Sequence, residues 1–390
     1  MIPVTKPYLP KVEEFENYIR SIWDRQWLTN NGPLVNDLEL KLKNYLNLDY
    51  LLYVTNGTTA LQIAIKALEL KGEIITTPFS FVATTNSILW QECEPVYVDI
   101  DPETFNIDPD KIEEAITSKT SAILATHVYG NPCNIDAIQN IADKYGLKVI
   151  YDAAHCFGTK YKNKSVFEYG DISTTSFHAT KLFHTIEGGA VFTKNPELLE
   201  KMAFIRNFGY CGPDTFSLVG INAKNSEFHA AMGLCNLMHV DAILERRKLL
   251  SLHYRENLKR LKVKFQSLDS DRDYNYAYCP ILFDSEELMH ACMTKLELSG
   301  IYCRRYFFPS LATLPFVNHK SMPVCDSVVK RILCLPLYDS LTIPDLDMIS
   351  RILLRVQQYP VRNSTKQKDF GGLIANRIEV SINGHEKKIN

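Results

Sequence analysis

The chain has 390 residues, of which 46% are hydrophobic and 23% are charged, and its formal net charge is −2. A chain of this length usually divides into two domains, and its balanced charge does not indicate a nucleic-acid partner. Its ten cysteines form no Cys-x-x-Cys pair, which indicates reduced thiols rather than disulfides or a metal site. No stretch has the apolar length of a membrane helix, and the first residues lack a signal-peptide pattern, so we expect a cytoplasmic protein without a membrane partner.

The first 35 residues are rich in turn formers and aromatic side chains, and Asn30-Asn31-Gly32-Pro33 is a strong turn signal. This segment is either a plain surface turn or an ordered arm that reaches over a site or a partner subunit. Leucines four residues apart then predict a helix from Leu34 to Leu46.

Strand-like and helix-like segments alternate in the next part of the chain. Seven short runs predict strands: Leu51–Val54, Glu73–Thr76, Pro95–Val98, Ser121–Thr126, Leu147–Tyr151, Ile172–Ser176 and Ala190–Thr193. Four segments with helical periodicity lie between the earlier strands: Thr58–Leu70, Val82–Gln91, Pro109–Thr117 and Ile135–Tyr145. This alternation predicts a mostly parallel sheet covered by helices, in an α/β domain of residues 1–236.

From residue 237 the pattern predicts a smaller α+β domain that ends at residue 359. Residues 237–262 are predicted to form one long helix. The shorter elements that follow are a strand at Ala277–Phe283, a helix at Glu286–Leu298, strands at Ile301–Tyr306 and Ile332–Leu335, and a helix at Pro344–Gln357. Residues 360–390 are more polar and are interpreted as a C-terminal tail.

One lysine, Lys181, lies in a short turn between two predicted strands, after Ser176 and before Gly188-Gly189. A lysine held in this way can be desolvated and aimed, as an imine-forming amine requires. The alternative is a solvated loop lysine, which is the usual environment of this residue.

Three further motifs follow predicted strands, and each has an ordinary structural alternative. Gly57-Thr58 opens a helix and could bind phosphate, or it could belong to a simple helix cap. Asp152 and His155 follow a strand, where open α/β sheets bind ligands, although an aspartate there also caps turns. Phe81 could stack on a flat ring, or it could belong to the core.

Taken together, these residues match the needs of pyridoxal 5′-phosphate. Lys181 would form the imine, Asp152 would pair with the protonated ring nitrogen, and Ser176 would join the phosphate site. A class I aldolase could also use a lysine with phosphate contacts, but it would not need Asp152.

The motifs also form an ordered set. They are Asn56-Gly57-Thr58, Phe81-Val82-Ala83-Thr84, His127-x-Tyr129-Gly130-Asn131-Pro132, Asp152-Ala153-Ala154-His155-x-x-Gly158, Ser176-Phe177-His178-x-x-Lys181 and Glu187-Gly188-Gly189-Ala190. Over about residues 1–358 the chain resembles the DegT/DnrJ/EryC1/StrS family of sugar aminotransferases. The resemblance implies a fold-type I pyridoxal-phosphate enzyme that forms homodimers with shared active sites and aminates nucleotide-linked keto sugars.

The resemblance also implies a role for each matching position. Lys181 corresponds to the lysine that binds the cofactor, Asp152 to the partner of the ring nitrogen, and His155 to the group beside the 3′-oxygen. The remaining cofactor-binding positions are the ring-stacking Phe81, the phosphate contacts Gly57, Thr58 and Ser176, and Asn222, which would reach the phosphate of the neighbouring subunit.

The opening stretch, the turn at Asn30-Asn31 and the segment from Arg304 to Tyr306 are most similar to enzymes that act at C4 of dTDP-4-keto-6-deoxy-glucose with L-glutamate as donor. The resemblance thus implies substrate contacts at Asn30, Asn31, Arg304 and Tyr306, and a product used for O-antigen sugars. The alternatives are a C3 aminotransferase and a sugar dehydratase of the same fold. Dehydratases in the family replace the lysine by histidine, so Lys181 favours transamination.

Overall fold

A seven-stranded sheet forms the centre of the protein in the computed structural model, which describes residues 1–269 and 272–359. The strands of this part of the chain are β1 (Leu51–Val54), β2 (Glu73–Thr76), β3 (Glu94–Tyr97), β4 (Thr120–Thr126), β5 (Lys148–Asp152), β6 (Lys160–Tyr161), β7 (Lys164–Ser165), β8 (Ile172–Ser176) and β9 (Gly189–Phe192). The central sheet has the order β1-β9-β8-β5-β4-β2-β3, and β9 is antiparallel to both of its neighbours. The other adjacent strands pair in parallel, so the expected mostly parallel sheet is confirmed.

Helices cover this sheet on both faces. The helices are α1 (Val12–Arg25), α2 (Pro33–Leu46), α3 (Gly57–Ala67), α4 (Val82–Trp90), α5 (Ile135–Tyr145), α6 (Pro196–Arg206), α7 (Glu227–Leu237), α8 (Val240–Asn257), α9 (Glu286–Leu298), α10 (Pro323–Arg331) and α11 (Ile343–Gln358). Alternate strand residues enter separate cores: Tyr53 and Tyr151 belong to the core that includes α2 and α5, while Val54 and Ile150 belong to the core that includes α3. None of the helices described combines the length and hydrophobicity that crossing a membrane requires.

A second, antiparallel sheet lies in the C-terminal part of the chain. It contains the strands β12 (Val263–Phe265), β14 (Cys279–Phe283) and β15 (Ile332–Leu335), while the short hairpin β10 (Tyr210–Gly212) and β11 (Thr215–Phe216) and the strand β13 (Arg272–Asp273) lie apart from it. Helices α8, α9 and α11 share a buried core with this small sheet. Residues 1–358 form one unit, so the domain boundary after residue 236 stays a prediction, and the tail predicted at 360–390 lies outside the described residues.

Two sequence predictions about elements are wrong, and one helix is shorter than predicted. The helix predicted at Pro109–Thr117 forms two 3₁₀ turns, and the chain becomes extended at Ile116. The long helix predicted at 237–262 is present as α8, which begins at Val240 after a separate helix, α7, that was not predicted. The strand predicted at Ile301–Tyr306 makes only isolated bridges, one to Ile2 and one to Cys334.

The N-terminal segment is more regular than the sequence indicates. Helix α1 was not expected there, and its last residue precedes the predicted turn. Asn30 and Asn31 have φ values of 64° and 54°, which places this turn in the left-handed region. Ahead of α1, the N–H of Leu337 donates to the carbonyl of Val4 at 3.1 Å, which attaches the first residues to the small-sheet part of the chain.

A buried carboxylate joins this N-terminal region to α7. The Glu227 side chain is fully buried and accepts hydrogen bonds from the N–H groups of Leu34 at 3.0 Å and Val35 at 2.9 Å. Arg25 lies 3.5 Å from the same carboxylate. The negative charge therefore satisfies the first N–H groups of α2, where a helix has no internal acceptors.

We expect Glu227→Ala to lower the free energy of unfolding by about 2–4 kcal/mol, because it leaves buried donors without an acceptor. Urea unfolding of the cofactor-free protein measures this change. Glu245→Ala, on the exposed side of α8, is the control and should change the free energy by less than about 0.5 kcal/mol. Equal effects of the two substitutions would contradict this role of Glu227.

Candidate active site

The predicted site residues meet where two neighbouring strands of the large sheet end. Strand β5 ends at Asp152, and the adjacent parallel strand β8 ends at Ser176. Ligands of open α/β sheets bind at this edge of the strands. The structure therefore brings Asp152, Ser176 and the following Lys181 to the same edge.

Lys181 lies in the loop that connects β8 to β9. The loop is closed at its base, because the N–H of Phe177 donates to the carbonyl of Gly188 at 2.7 Å and the N–H of Thr185 donates to the carbonyl of Phe177 at 2.9 Å. A Cβ added at Gly189 would lie 2.6 Å from the backbone carbon of Asn56. Glycine at this position thus allows the loop to approach the start of α3 closely.

Lys181 is partly buried, and its amine is desolvated. Desolvation lowers its pKa below the ordinary value for lysine, although the negative charge of Asp152 acts in the opposite direction. Lys181 Nζ lies 3.5 Å from Oη of Tyr278, which lies one residue before β14 in the small sheet. A lysine with a lowered pKa has a larger neutral fraction, and the neutral amine is the nucleophilic form.

Asp152 is a buried carboxylate held by two hydrogen bonds. The Thr84 hydroxyl donates to Oδ2 at 2.8 Å, and the Ala154 N–H donates to Oδ1 at 3.2 Å. Desolvation raises the pKa of Asp152, while these hydrogen bonds and the positive charge of Lys181 lower it. A cationic ligand beside this carboxylate would therefore be stabilised.

His155 is buried among aromatic rings. Its ring stacks on Phe307 at 5.7 Å between centroids and meets Tyr278 edge-on at 4.8 Å. The N–H of Tyr129 donates to Nδ1 at 3.2 Å, which requires the proton of the neutral ring to be on Nε2. Burial holds the pKa of His155 well below its usual range, so the neutral ring offers Nε2–H as a donor.

The start of α3 lies next to Ser176, as a phosphate site requires. A Cβ added at Gly57 would lie 2.9 Å from the Ser176 Cβ, so only glycine allows this contact. The cap of the helix is Asn56, whose side chain accepts from the Thr59 N–H at 2.8 Å, rather than one of the threonines. The N–H groups of Gly57 and Thr58 have no acceptor inside the helix, so they are available to an anion.

The other predicted residues lie at different distances from this centre. Phe81 is 58% exposed at the start of α4, and its carbonyl accepts from the N–H of Thr84, the residue that bonds Asp152. Arg304 Nη1 lies 3.4 Å from the Tyr306 hydroxyl, and the Tyr306 ring meets Tyr278 edge-on at 5.5 Å. Arg304 and Tyr306 are therefore close to the Lys181 region.

The structure does not bring Asn30, Asn31 and Asn222 to Lys181. The carbonyl of Asn31 accepts from the side chain of Asn36, and no hydrogen bond of the described residues connects this turn with Lys181. Asn222 is exposed, and its side chain accepts from the Lys224 amine at 2.8 Å. The roles of these three residues stay predictions.

Two residues of this centre were not predicted from the sequence: Tyr278, and Thr84 as a hydrogen-bond donor. Tyr278 ends an alternating run with Tyr274 and Tyr276, but nothing in that run indicates a contact nearly 100 residues earlier in the chain. Thr84 was noted only as part of a motif, although its position one helical turn after Phe81 places it near the strand ends.

Comparisons with known proteins identify the family to which this chain belongs. The profile of the DegT/DnrJ/EryC1/StrS aminotransferase family matches residues 10–354. The chain belongs to this family. Among the proteins similar to it, dTDP-4-amino-4,6-dideoxy-D-glucose transaminase of Shigella dysenteriae is 43% identical over 355 residues, which cover 89% of this chain and 96% of that protein.

Solved structures of similar proteins agree with the family assignment. A crystal structure of DesI in the presence of its TDP-sugar product has a TM-score of 0.87 and 30% identity, over 97% of this chain and 95% of DesI. NtdA from Bacillus subtilis with bound cofactor PMP has a TM-score of 0.82 and 30% identity, over 89% of this chain and 82% of NtdA. The fold is therefore that of the fold-type I enzymes, and the family uses pyridoxal phosphate.

The residues present are chemically suited to this cofactor. Lys181 offers a desolvated amine to its aldehyde, and Asp152 offers a buried carboxylate to its ring nitrogen. Gly57 leaves the start of α3 open beside Ser176, which suits a phosphate group. These assignments of individual residues to the cofactor are part of the proposal below.

We expect Asp152→Asn to stabilise the cofactor-free protein while it weakens cofactor binding. The folded Asp152 has a raised pKa, so the unfolded state binds fewer protons than the folded state at pH values between the two pKa values. The free energy of unfolding therefore falls as the pH rises from about 3.8 towards the raised pKa of Asp152 in the folded protein. The loss of stability caused by this buried charge persists at neutral pH. Asparagine keeps an acceptor for Ala154 and removes the charge.

Thermal unfolding of both cofactor-free proteins from pH 4 to 8 measures this effect. The thermal stability of the variant relative to that of the wild type should increase as the pH rises, while titration with the cofactor should show weaker binding to the variant. Asp24→Asn, on the exposed surface of α1, is the control and should change neither quantity. A variant that is less stable than the wild type at neutral pH would overturn this interpretation of Asp152.

Proposed function

We propose that this protein transfers the amino group of L-glutamate to dTDP-4-dehydro-6-deoxy-D-glucose. The products are dTDP-4-amino-4,6-dideoxy-D-glucose and 2-oxoglutarate. The amino sugar would serve surface polysaccharide (O-antigen) biosynthesis, and the reaction would take place in the cytoplasm.

The observation that carries this proposal is the Lys181 amine, which is desolvated, interacts with the charge of Asp152 and lies 3.5 Å from the Tyr278 hydroxyl. A desolvated lysine that interacts with a buried acid is costly to maintain, and transamination uses both groups. The choice of sugar is supported by the relative that is 43% identical, because that protein is a dTDP-4-amino-4,6-dideoxy-D-glucose transaminase.

Pyridoxal phosphate, when bound, supplies an electron sink that stabilises negative charge at the carbon next to the transferred nitrogen. Lys181 would hold the cofactor through its amine, Asp152 would keep the ring nitrogen protonated, and His155 would donate from Nε2 to the 3′-oxygen. Phe81 would cover one face of the ring, and Gly57, Thr58 and Ser176 would bind the phosphate.

Lys181 also moves the protons of the reaction. Its neutral amine would take the α-proton of glutamate and pass it to C4′ of the cofactor in the first half-reaction, and in the second it would take a proton from C4′ and deliver it to C4 of the sugar. Because glutamate leaves as 2-oxoglutarate before the sugar binds, the kinetics should be ping-pong. Arg304, Tyr306, Asn30 and Asn31 would contact the sugar nucleotide.

We further propose that the protein acts as a homodimer with shared active sites. Asn222 would complete the phosphate site of the neighbouring subunit, which its exposure on this chain allows. Residues 1–236 would form the cofactor-binding domain and residues 237–359 the smaller one, with 360–390 as a tail.

The amino-transfer reaction is tested by incubating the enzyme with glutamate and dTDP-4-dehydro-6-deoxy-D-glucose. We expect NMR to show an amino group at C4 of the sugar, with one 2-oxoglutarate formed for each amino sugar. A C3-amino product would favour the alternative position. A deoxygenated sugar formed without net consumption of glutamate would favour the dehydratase.

In the same assay we expect Lys181→Ala to lower kcat by about 10³-fold or more, because it removes the group that transfers both protons. Lys181→Arg keeps the charge but cannot supply a neutral amine, so it should be as inactive. Lys164→Ala, on an exposed strand, is the control. Retained turnover in either Lys181 variant would exclude its role.

Subunit complementation tests the predicted role of Asn222. Mixing Lys181→Ala and Asn222→Ala chains should create hybrid dimers in which one of the two sites is intact. Random mixing should then recover about a quarter of the wild-type activity, because half of the dimers are hybrids with one site each. Activity that stays at the average of the separate variants would show that each site lies within one chain.

A further inference from the structure

The Lys181 amine contacts a residue from the other sheet of the protein. Its Nζ lies 3.5 Å from the Tyr278 hydroxyl, and this is the one side-chain hydrogen bond of the amine within residues 1–269 and 272–359. Catalytic hydrogen bonds are often long in ligand-free structures and shorten when the site is occupied. The proposed function gives Tyr278 no role.

The Tyr278 ring is fixed on three sides by aromatic side chains. Its centroid lies 4.8 Å from that of His155, 5.5 Å from that of Tyr306 and 5.7 Å from that of Tyr129. Aromatic neighbours at these distances and tilted angles restrict the ring without competing for its hydroxyl group. The position of the phenol oxygen is therefore defined by packing.

The backbone beside Tyr278 is held by a buried arginine. Arg247, which is 5% exposed, donates from Nη2 to the carbonyl of Ala277 at 2.7 Å and from Nε to the carbonyl of Tyr276 at 3.1 Å. Placing a charged side chain in the interior is costly, and these two hydrogen bonds partly offset that cost. The guanidinium thus fixes the segment that carries Tyr278.

Burial acts in opposite directions on the two groups in contact. It raises the pKa of Tyr278, so the phenol keeps its proton at neutral pH, and it lowers the pKa of Lys181, so the amine loses its proton more easily. A protonated phenol and a neutral amine are complementary, because the phenol O–H can donate to the nitrogen lone pair.

We propose that Tyr278 is a positioning residue that holds the neutral amine of Lys181 through its hydroxyl group and directs it to the reacting carbon. This proposal rests on the proposed function, since it assigns the same lysine a partner. Tyr278 stabilises the neutral form of the amine before the cofactor binds, and it limits the freedom of the amine whenever the lysine is released to move a proton.

The test is the pH dependence of cofactor binding to the cofactor-free protein, followed by absorbance. Binding requires the neutral amine, so its rate rises with pH through the pKa of Lys181. Tyr278→Phe keeps the ring but removes the donor, which raises the pKa of the amine. We expect its rate profile to shift to higher pH by about half a unit to one unit.

A second variant makes the opposite change. Replacing Tyr278 by 3-fluorotyrosine, whose hydroxyl is a stronger donor, should shift the profile to lower pH. The control is Tyr254→Phe, because the Tyr254 hydroxyl is buried in the small-sheet core and has no hydrogen-bond partner among the described residues. We expect the control profile to match that of the wild type.

The half-reaction with glutamate supplies a second measurement. In stopped-flow experiments Tyr278→Phe should slow it about tenfold, with the apparent affinity for glutamate within about twofold of the wild type. Unshifted pH profiles in both Tyr278 variants, or a loss of thermal stability with an unshifted profile, would overturn the proposal. Neither measurement uses the keto sugar, so a wrong choice of sugar leaves this test unaffected.

Discussion

The site depends on one constraint: two ionisable groups of opposite sign are held out of water at the same edge of the large sheet. Desolvation raises the pKa of Asp152 and lowers that of Lys181, so it favours the neutral form of both. Their mutual attraction favours the charged forms and opposes this effect. The Thr84 hydrogen bond also favours the charged form of Asp152, while the Lys181 amine lies within contact distance of the Tyr278 hydroxyl.

The sheet topology makes this arrangement possible. Strands β5 and β8 are parallel neighbours, so Asp152 and Ser176 end at the same edge, and antiparallel β9 returns the chain directly to the start of α3. The loop between β8 and β9 is therefore anchored at both ends. A lysine in the middle of such a loop is confined although it lies outside any helix or strand, which explains how a loop residue can be positioned accurately.

Local sequence patterns predicted the strands of the large sheet and the place of Asp152 and His155 after one of them, because the ends of buried parallel strands converge. Lys181 and Ser176 were assigned roles only from the combination of motifs and from the family resemblance. Helix α1 was missed because the turn formers and aromatic residues around it obscured its periodicity. Helix α7 was missed because most of its residues are buried, so its sequence lacks the polar face that makes a surface helix recognisable.

Contacts between distant parts of the chain could not be predicted in this way. Tyr278, Tyr306 and Phe307 come from the C-terminal half, and their approach to His155 and Lys181 depends on how the small sheet packs against the large one. No periodicity encodes a pairing across such a separation. Local patterns also do not predict the contacts of Asn30, Asn31 and Asn222, because the roles proposed for them involve a substrate or a second chain.

The C-terminal half also supplies apolar surroundings to His155. Phe307 stacks on His155 within 3° of parallel, and the same ring stacks on Tyr129 at 5.7 Å, so this side of the site is lined by aromatic rings. A low local dielectric strengthens the electrostatic interactions there, and it enlarges the pKa shifts of Lys181 and Asp152. Small polar side chains in place of these aromatic rings would admit water and so reduce the desolvation that lowers the pKa of Lys181.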